Sequence, residues 1–232
     1  MLTRGGLHHY QNKAVDTILD RQKCALWLDL GLGKSVVTLT AISDLLDGFA
    51  VKRVLVIAPL RVARSVWLDE AKKWEHLNDL RISVCVGDIK KRTNALSADA
   101  DIFVINRECV PWLVNFYGKK WPFDMIVVDE STSFKNPTRQ RFKALRRVSG
   151  RANYMVLLSG TPIPNGLADL WSQFYLLDGG ERLGRTLTQF RSRWFTKHYS
   201  GFGYVPNAGA LDEVKNIVSD ITLSMGGDEY LE

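Results

Sequence analysis

Leu28-Asp29-Leu30-Gly31-Leu32-Gly33-Lys34-Ser35 is the stretch that decides how this chain is read. It follows an apolar run at 24–28 and opens a helical pattern at 34–46, so it is a strand-to-helix turn. Its glycines let the backbone turn tightly enough for successive N–H groups to converge on one point. The helix N-terminus adds the positive end of its dipole. Such a turn grips phosphate. Lys34 reaches the β- and γ-phosphates and the Ser35 hydroxyl can ligate magnesium. The full pattern begins with glycine, where this chain has Leu28. The competing reading is a Gly-rich turn that only closes a helix–strand joint.

Outward from this turn, short β-branched apolar runs fall at 24–28, 54–58, 82–86, 102–106, 125–129 and 154–159. Several are apolar almost throughout, as in Val54-Leu55-Val56-Ile57 and Met125-Ile126-Val127-Val128. A strand of that kind is covered on both faces. Helical patterns at 34–46, 62–74, 109–117 and 139–148 lie between them. The alternation predicts an α/β fold with a central, mostly parallel sheet and helices on both faces. Ligands of such a sheet sit beyond the carboxyl ends of its strands. After Ser159 the strand signal stops. Helical patterns follow at 166–176, 186–195 and 210–221, the last two separated by a Gly-rich loop at 200–209.

The run at 125–129 ends in Asp129-Glu130. Consecutive strand side chains point to opposite faces, so a turn is needed to send both carboxylates into one cleft. Given that turn, Asp129 would hold the magnesium shell and Glu130 would orient or deprotonate an attacking water. An isolated Asp-Glu at a strand end is usually only a charged terminus. Downstream of a phosphate loop, the functional reading takes precedence. The run at 154–159 ends in Ser159-Gly160-Thr161-Pro162, small hydroxyl residues able to sense a γ-phosphate, although the same residues also make ordinary turns.

Composition narrows the class. The chain has 232 residues, 46% hydrophobic and 24% charged, which is ordinary for a globular protein and excludes disorder and collagen. No apolar run approaches ~20 residues, so no membrane contact is expected. Three scattered cysteines and a polar N-terminus predict reduced thiols and a cytoplasmic setting. Four histidines without metal-ligand spacing argue against zinc. The net charge of +6 fits a polyanion partner without requiring one.

The three blocks, in this order on three strands, resemble the first RecA-like lobe of a superfamily-two helicase, specifically the Swi/Snf-like double-stranded DNA translocases. Leu7-His8-His9-Tyr10-Gln11 resembles that family's adenine-reading motif, with Gln11 as the glutamine. Residues 29–35 resemble its motif I. Pro59 with Trp67, Glu70 and Trp74 is similar to motif Ia, and Ile105-Asn106-Arg107-Glu108 sits where motif Ib belongs. Asp129-Glu130-Ser131 stands for the acidic box and is followed by Phe134-Lys135-Asn136-Pro137. Ser159-Gly160-Thr161-Pro162 with Asn165, Leu170 and Trp171 is similar to motif III. Ser131 and Ser133 depart from the family's usual Ala and His, and Asn106-Arg107 from its usual Thr-Tyr.

The resemblance implies a RecA-like P-loop NTPase lobe that binds ATP and Mg2+. Cofactor contacts would come from Gln11, Leu30, Gly31, Leu32, Gly33, Lys34, Ser35 and Asp129. Lys34 and Glu130 would be catalytic, Ser35 and Asp129 would hold the metal, and Ser159, Gly160 and Thr161 would couple hydrolysis to motion. The lobe would span 1–178. Residues 179–232 would be a helical extension leading toward a second RecA-like lobe with arginine fingers, for which no counterpart precedes Glu232. The short N-terminus suggests a minimal motor of bacterial or phage type.

Pro59, Arg61, Asn106, Arg107, Lys135 and Asn136 all follow strand ends on one side of the sheet. They are the candidates for sequence-independent contact with the backbone of double-stranded DNA. Two basic clusters, at 139–151 and at Arg182, Arg185, Arg191, Arg193 and Lys197, read first as solvated faces and second as phosphate contacts. Trp67, Trp74, Trp112 and Trp171 read as core. Alternatives stay open: an RNA helicase lobe, a small-molecule phosphotransferase, or a non-catalytic nucleotide- or DNA-binding module. The extension 135–137 disfavours the first. The second has no use for the block at 159–162. The third would tolerate Lys34→Ala and Glu130→Gln.

Overall fold

A computed structural model describes residues 1–199 and 202–226. Six strands form where the apolar runs predict them: β1 (Lys23–Leu28), β2 (Val54–Ala58), β3 (Ile82–Cys85), β4 (Ile102–Asn106), β5 (Met125–Asp129) and β6 (Tyr154–Ser159). With β9 (Thr222–Met225) they make a seven-stranded sheet in the order β3-β4-β2-β5-β6-β1-β9, and every pairing is parallel.

The side-chain period of two splits these strands between two apolar layers. Val54, Val56, Met125, Val127, Val156 and Leu158 pack on one face with α1 (His9–Arg21), α2 (Lys34–Asp47) and α3 (Leu60–Ala71). Leu55, Ile57, Ile126, Val128, Met155 and Leu157 pack on the other. There they meet α5 (Val110–Tyr117), α6 (Gln140–Ser149) and α7 (Ala168–Asp178). Burial on both faces is why the strands read as unbroken apolar runs. Phe142, Leu145 and Val148 of α6 turn inward, while Arg139, Lys143, Arg146 and Arg147 stay exposed. Trp67, Trp74 and Trp171 are buried, as expected of core, and Trp112 is half-buried beneath the Arg92 guanidinium. All three cysteines are free thiols, and burial pushes Cys24 up to about 12 and Cys85 up to about 11.

The expectation that strands end at Ser159 is corrected. A two-stranded antiparallel ribbon pairs β7 (Phe195–Lys197) with β8 (Tyr204–Pro206), and β9 adds to the main sheet beside β1. These strands are three or four residues long, and β7 and β8 have no buried residue, so they carry no alternating pattern to read. The ribbon takes up part of the stretch expected to be loop; Ser200 and Gly201 within that loop, and residues 227–232, lie outside the described residues. Helix α9 (Ala210–Ile217) is shorter than its apolar stripe, which continues through a 3-10 turn, Ser219–Ile221. Ala210, Val214 and Val218 bury into the same layer as α6 and α7, as do Phe190 and Trp194 of α8 (Leu187–Trp194). The second basic cluster is largely paired: Arg182 with Asp178 and Asp220, Arg193 with Glu213, and Arg191 over the Tyr204 ring.

Two helices lie outside the sequence expectation, α1 and α4 (Ile89–Leu96). Only Arg92 and Leu96 of α4 are buried, too little to raise a helical pattern. Helix α3 begins directly after Pro59 and stops at Ala71, so Trp74 sits in the following turn.

Leu26 is wholly buried at the centre of β1, whereas Leu30, four residues on, is 83% exposed. Leu26→Ala is expected to cost about 2–5 kcal/mol, and Leu30→Ala less than about 0.5 kcal/mol, in urea unfolding.

Candidate functional site

Parallel pairing puts the carboxyl ends of β1, β6 and β5 side by side, with β6 in the middle. Trp27 is in register with Ser159, and Asp129 with Leu158. The phosphate-type loop, the acidic pair and the small-residue block therefore leave the sheet at one place.

The loop after β1 turns through two left-handed glycines, Gly31 at φ +87° and Gly33 at φ +76°. Gly33 is the residue on which α2 starts. A Cβ there would collide with the Gln11 amide and press on Val36, so only glycine fits. Gln11 is buried against the loop. Its amide nitrogen donates to the Leu32 carbonyl (3.3 Å) and its oxygen accepts from the His8 N–H (2.9 Å). The candidate adenine-reading residue is thus also the clamp between α1 and the loop.

Lys34 and Ser35 open α2 and are part-exposed. The Lys34 ammonium donates to the carbonyls of Leu28 (2.7 Å) and Asp29 (3.0 Å). Burial lowers its pKa, against the pull of Glu130, Asp129 and Asp29. Gly160 closes the other side: a Cβ on it would lie 3.4 Å from the Leu28 carbonyl and 3.8 Å from the Lys34 ammonium. The Ser159 hydroxyl is buried and accepts from the Thr161 N–H (3.1 Å).

The turn needed after Asp129 is present. Glu130 adopts φ +53°, ψ +62°, left-handed backbone that a non-glycine residue enters at a cost of about 1 kcal/mol. The chain then winds through a short helical turn, Ser131–Phe134. Asp129 is buried, and its carboxylate accepts from the indole N–H of Trp67 on α3 (3.2 Å). Burial and the neighbouring Glu130 charge push its carboxyl up to about 6, although Trp67 and Lys34 pull the other way.

These residues fit a magnesium nucleotide. Among the described residues, no group of three His, Cys, Asp or Glu could hold a metal unaided. One carboxylate and one hydroxyl, Asp129 and Ser35, suit magnesium, which keeps waters and takes its other ligands from phosphates. Asp129 at about 6 is a carboxylate short of positive charge.

Pro59 and Arg61 follow β2, Asn106 ends β4 and Arg107 follows it, and Lys135 and Asn136 follow β5, three strands adjacent in the order β4-β2-β5. Arg61 and Asn136 are exposed. Asn106 is buried and donates to Glu108, which also takes Arg107 (2.9 Å) and Arg141 (3.3 Å). Burial raises the Glu108 carboxyl, but the bonds from Arg107 and Asn106 outweigh it and hold it low. Lys135 reaches Asp169 (3.4 Å).

Sequence reasoning missed two roles. Trp67, read as core, also holds Asp129. Helix α7 presents Asp169, Ser172 and Gln173 as buried polar residues facing the turns after β5 and β6. An apolar-periodic helix gives no signal for either.

The SNF2-related domain family matches residues 10–202. The protein p41 of Acyrthosiphon pisum secondary endosymbiont phage 1 is 39% identical over 96% of this chain and 51% of its own length. The mouse DNA excision repair protein ERCC-6-like is 29% identical over 72% of the chain and 14% of its own length. The chain thus spans about half or less of the relatives it matches. The Sulfolobus solfataricus SWI2/SNF2 ATPase core, solved in complex with dsDNA, superposes with a TM-score of 0.79 at 30% identity, over 95% of this chain and 44% of that one. No helix among the described residues is long and apolar enough to cross a membrane.

A carboxylate whose folded pKa is raised destabilises the fold wherever it is ionised. For Asp129 that cost is full above pH ~6 and disappears as the pH falls through ~6 toward the ordinary value near 3.8. Asp129→Asn is therefore expected to raise stability at pH 8 by up to ~3 kcal/mol and by well under ~1 kcal/mol at pH 4, read as denaturation midpoints across that range.

Proposed function

The chain belongs to the SNF2-related family, and from that premise we propose that it is the ATP-binding lobe of an ATP-dependent motor on double-stranded DNA. The observation that carries this reading is the meeting of Lys34, Gly160 and the Asp129-Glu130 pair around one glycine turn. The relative solved with dsDNA supports the choice of nucleic acid.

In this reading Gln11 faces the adenine. The N–H groups of residues 30–35 and the Lys34 ammonium bind the phosphates, with Lys34 exchanging its two carbonyl partners for phosphate oxygens. Asp129 and Ser35 would hold magnesium, which would neutralise charge on the phosphates. Glu130 orients the attacking water and takes its proton. Ser159, Gly160 and Thr161 register the change beside the loop. Pro59, Arg61, Asn106, Arg107, Lys135 and Asn136 line the DNA track and hold its backbone without reading bases.

We take residues 1–178 as the lobe and residues 179–232 as the segment leading to a second RecA-like lobe, with work done in the cytoplasm of a bacterial or phage-infected cell. The second lobe would supply arginine fingers, worth ~10³–10⁵ in rate, or about 4–7 kcal/mol of barrier. The 232-residue chain by itself is therefore expected to bind ATP weakly and to turn it over barely at all.

Titration with a fluorescent nonhydrolysable ATP analogue and magnesium tests the site. Binding should saturate, and Lys34→Ala should weaken it at least tenfold. Equal affinity in the variant would refute the phosphate assignment. Robust DNA-stimulated hydrolysis by the isolated chain would refute the need for a second lobe.

A further inference from the structure

Helix α7 carries two polar residues one turn apart, Asp169 and Gln173, and each joins the same two loops. Gln173 is 2% exposed and Ser131, next to the acidic pair, is 1% exposed. The Ser131 hydroxyl donates to the Gln173 amide oxygen (2.6 Å), and the Gln173 nitrogen donates to the carbonyls of Pro162 and Asp169 (both 2.9 Å). Only this amide orientation satisfies both ends, since a carbonyl can only accept. One turn earlier, the Asp169 carboxylate takes the Lys135 ammonium (3.4 Å) and the Asn165 N–H (2.9 Å). The Ser172 hydroxyl donates to the Lys135 carbonyl (2.7 Å).

The two rungs, Ser131–Gln173–Pro162 and Lys135–Asp169–Asn165, run from the turn after Glu130 to the loop after Gly160. Helix α7 has no need of them for burial, which Leu170, Trp171, Phe174 and Leu177 already provide. A satisfied polar network rigidifies the segments it joins.

The geometry points to Gln173 and Ser131 as positioning residues that transmit a change at Glu130 to residues 161–165, with α7 as the rigid bracket between them. This rests on the proposed nucleotide site. It also gives Ser131, one of the chain's departures from the family pattern, a defined task.

Hydrogen exchange of the full chain, with and without magnesium and the nonhydrolysable ATP analogue, tests it. In the wild type the nucleotide should slow exchange at 29–35 and also at 160–166. In Ser131→Ala/Gln173→Leu, affinity should stay within threefold and protection at 29–35 should persist, while protection at 160–166 falls at least fivefold. A purely structural role would lower the thermal midpoint and leave the ratio of the two protections unchanged, which overturns the proposal. Wild-type protection confined to 29–35 overturns it as well. Absence of protection at 29–35 in the wild type would instead remove the nucleotide site, and the bracket with it. Where the double variant does not fold, Ser131→Ala alone leaves Gln173 bonded to Pro162 and Asp169. It should still lose at least half of the protection at 160–166, and an unchanged value overturns the proposal.

Discussion

The backbone pairing of β6 with both β1 and β5 is the constraint on which the site depends. Neighbouring strands lie ~4.8 Å apart, so the strand that feeds the glycine turn and the strand that ends in two carboxylates are held ~10 Å from one another. Between them β6 ends in Ser159, and Gly160 follows beside both the Leu28 carbonyl and the Lys34 ammonium. A parallel sheet cannot slip this register cheaply, because a shift of one residue would exchange the two apolar layers. Burial of β1, β5 and β6 on both faces is thus what fixes the distance between a cation and the carboxylates it faces.

The same place concentrates features that work against stability. Asp129 is buried with one indole donor, Glu130 sits in left-handed backbone, and Lys34 is drawn partly out of water. Each is unfavourable where it stands, and each leaves a group short of its ideal partner: a carboxylate without a cation ligand, an ammonium bonded only to carbonyls. Strain of this sort persists where surrounding packing over-determines it. Here that packing is two complete apolar layers. A polyphosphate with its metal would supply the missing partners of both groups at once, so binding it would relieve costs already present in the fold.

The sequence made legible those parts whose physics is local or periodic. Residues 54–58 and 125–128 read as strand because burial on both faces leaves no polar position in them. Residues 28–35 and 129–130 could be read because phosphate and metal chemistry restricts residue type at adjacent positions. What stayed hidden depends on partners distant in sequence. The four residues of β9 are a strand only because β1 offers an open edge. Trp67 reaches Asp129 across 62 positions, and Ser131 reaches Gln173 across 42. No spacing rule connects such pairs. An indole that packs and an indole that also donates look alike in one sequence, as do a glutamine on a solvated face and one that bridges two loops.

The carboxyl edge of the sheet divides into two overlapping halves. The strands β5, β6 and β1 carry the nucleotide candidates, and β4, β2 and β5 carry the nucleic-acid candidates. Strand β5 belongs to both, with Asp129 and Glu130 at its tip and Lys135 and Asn136 one short helical turn later. Helix α3 spans the halves a second time: Arg61 stands in its first turn, and Trp67, near its middle, holds Asp129. A displacement of α3 by a duplex at Arg61 would therefore alter a hydrogen bond that opposes the raised pKa of Asp129, and with it that carboxylate's readiness to take a metal. Were two ligands to act on this strand and this helix with a coupling free energy between them, each would change the affinity for the other by a reciprocal factor. Coupling between the two candidate sites would require no long pathway, because they share β5 and are linked again through α3.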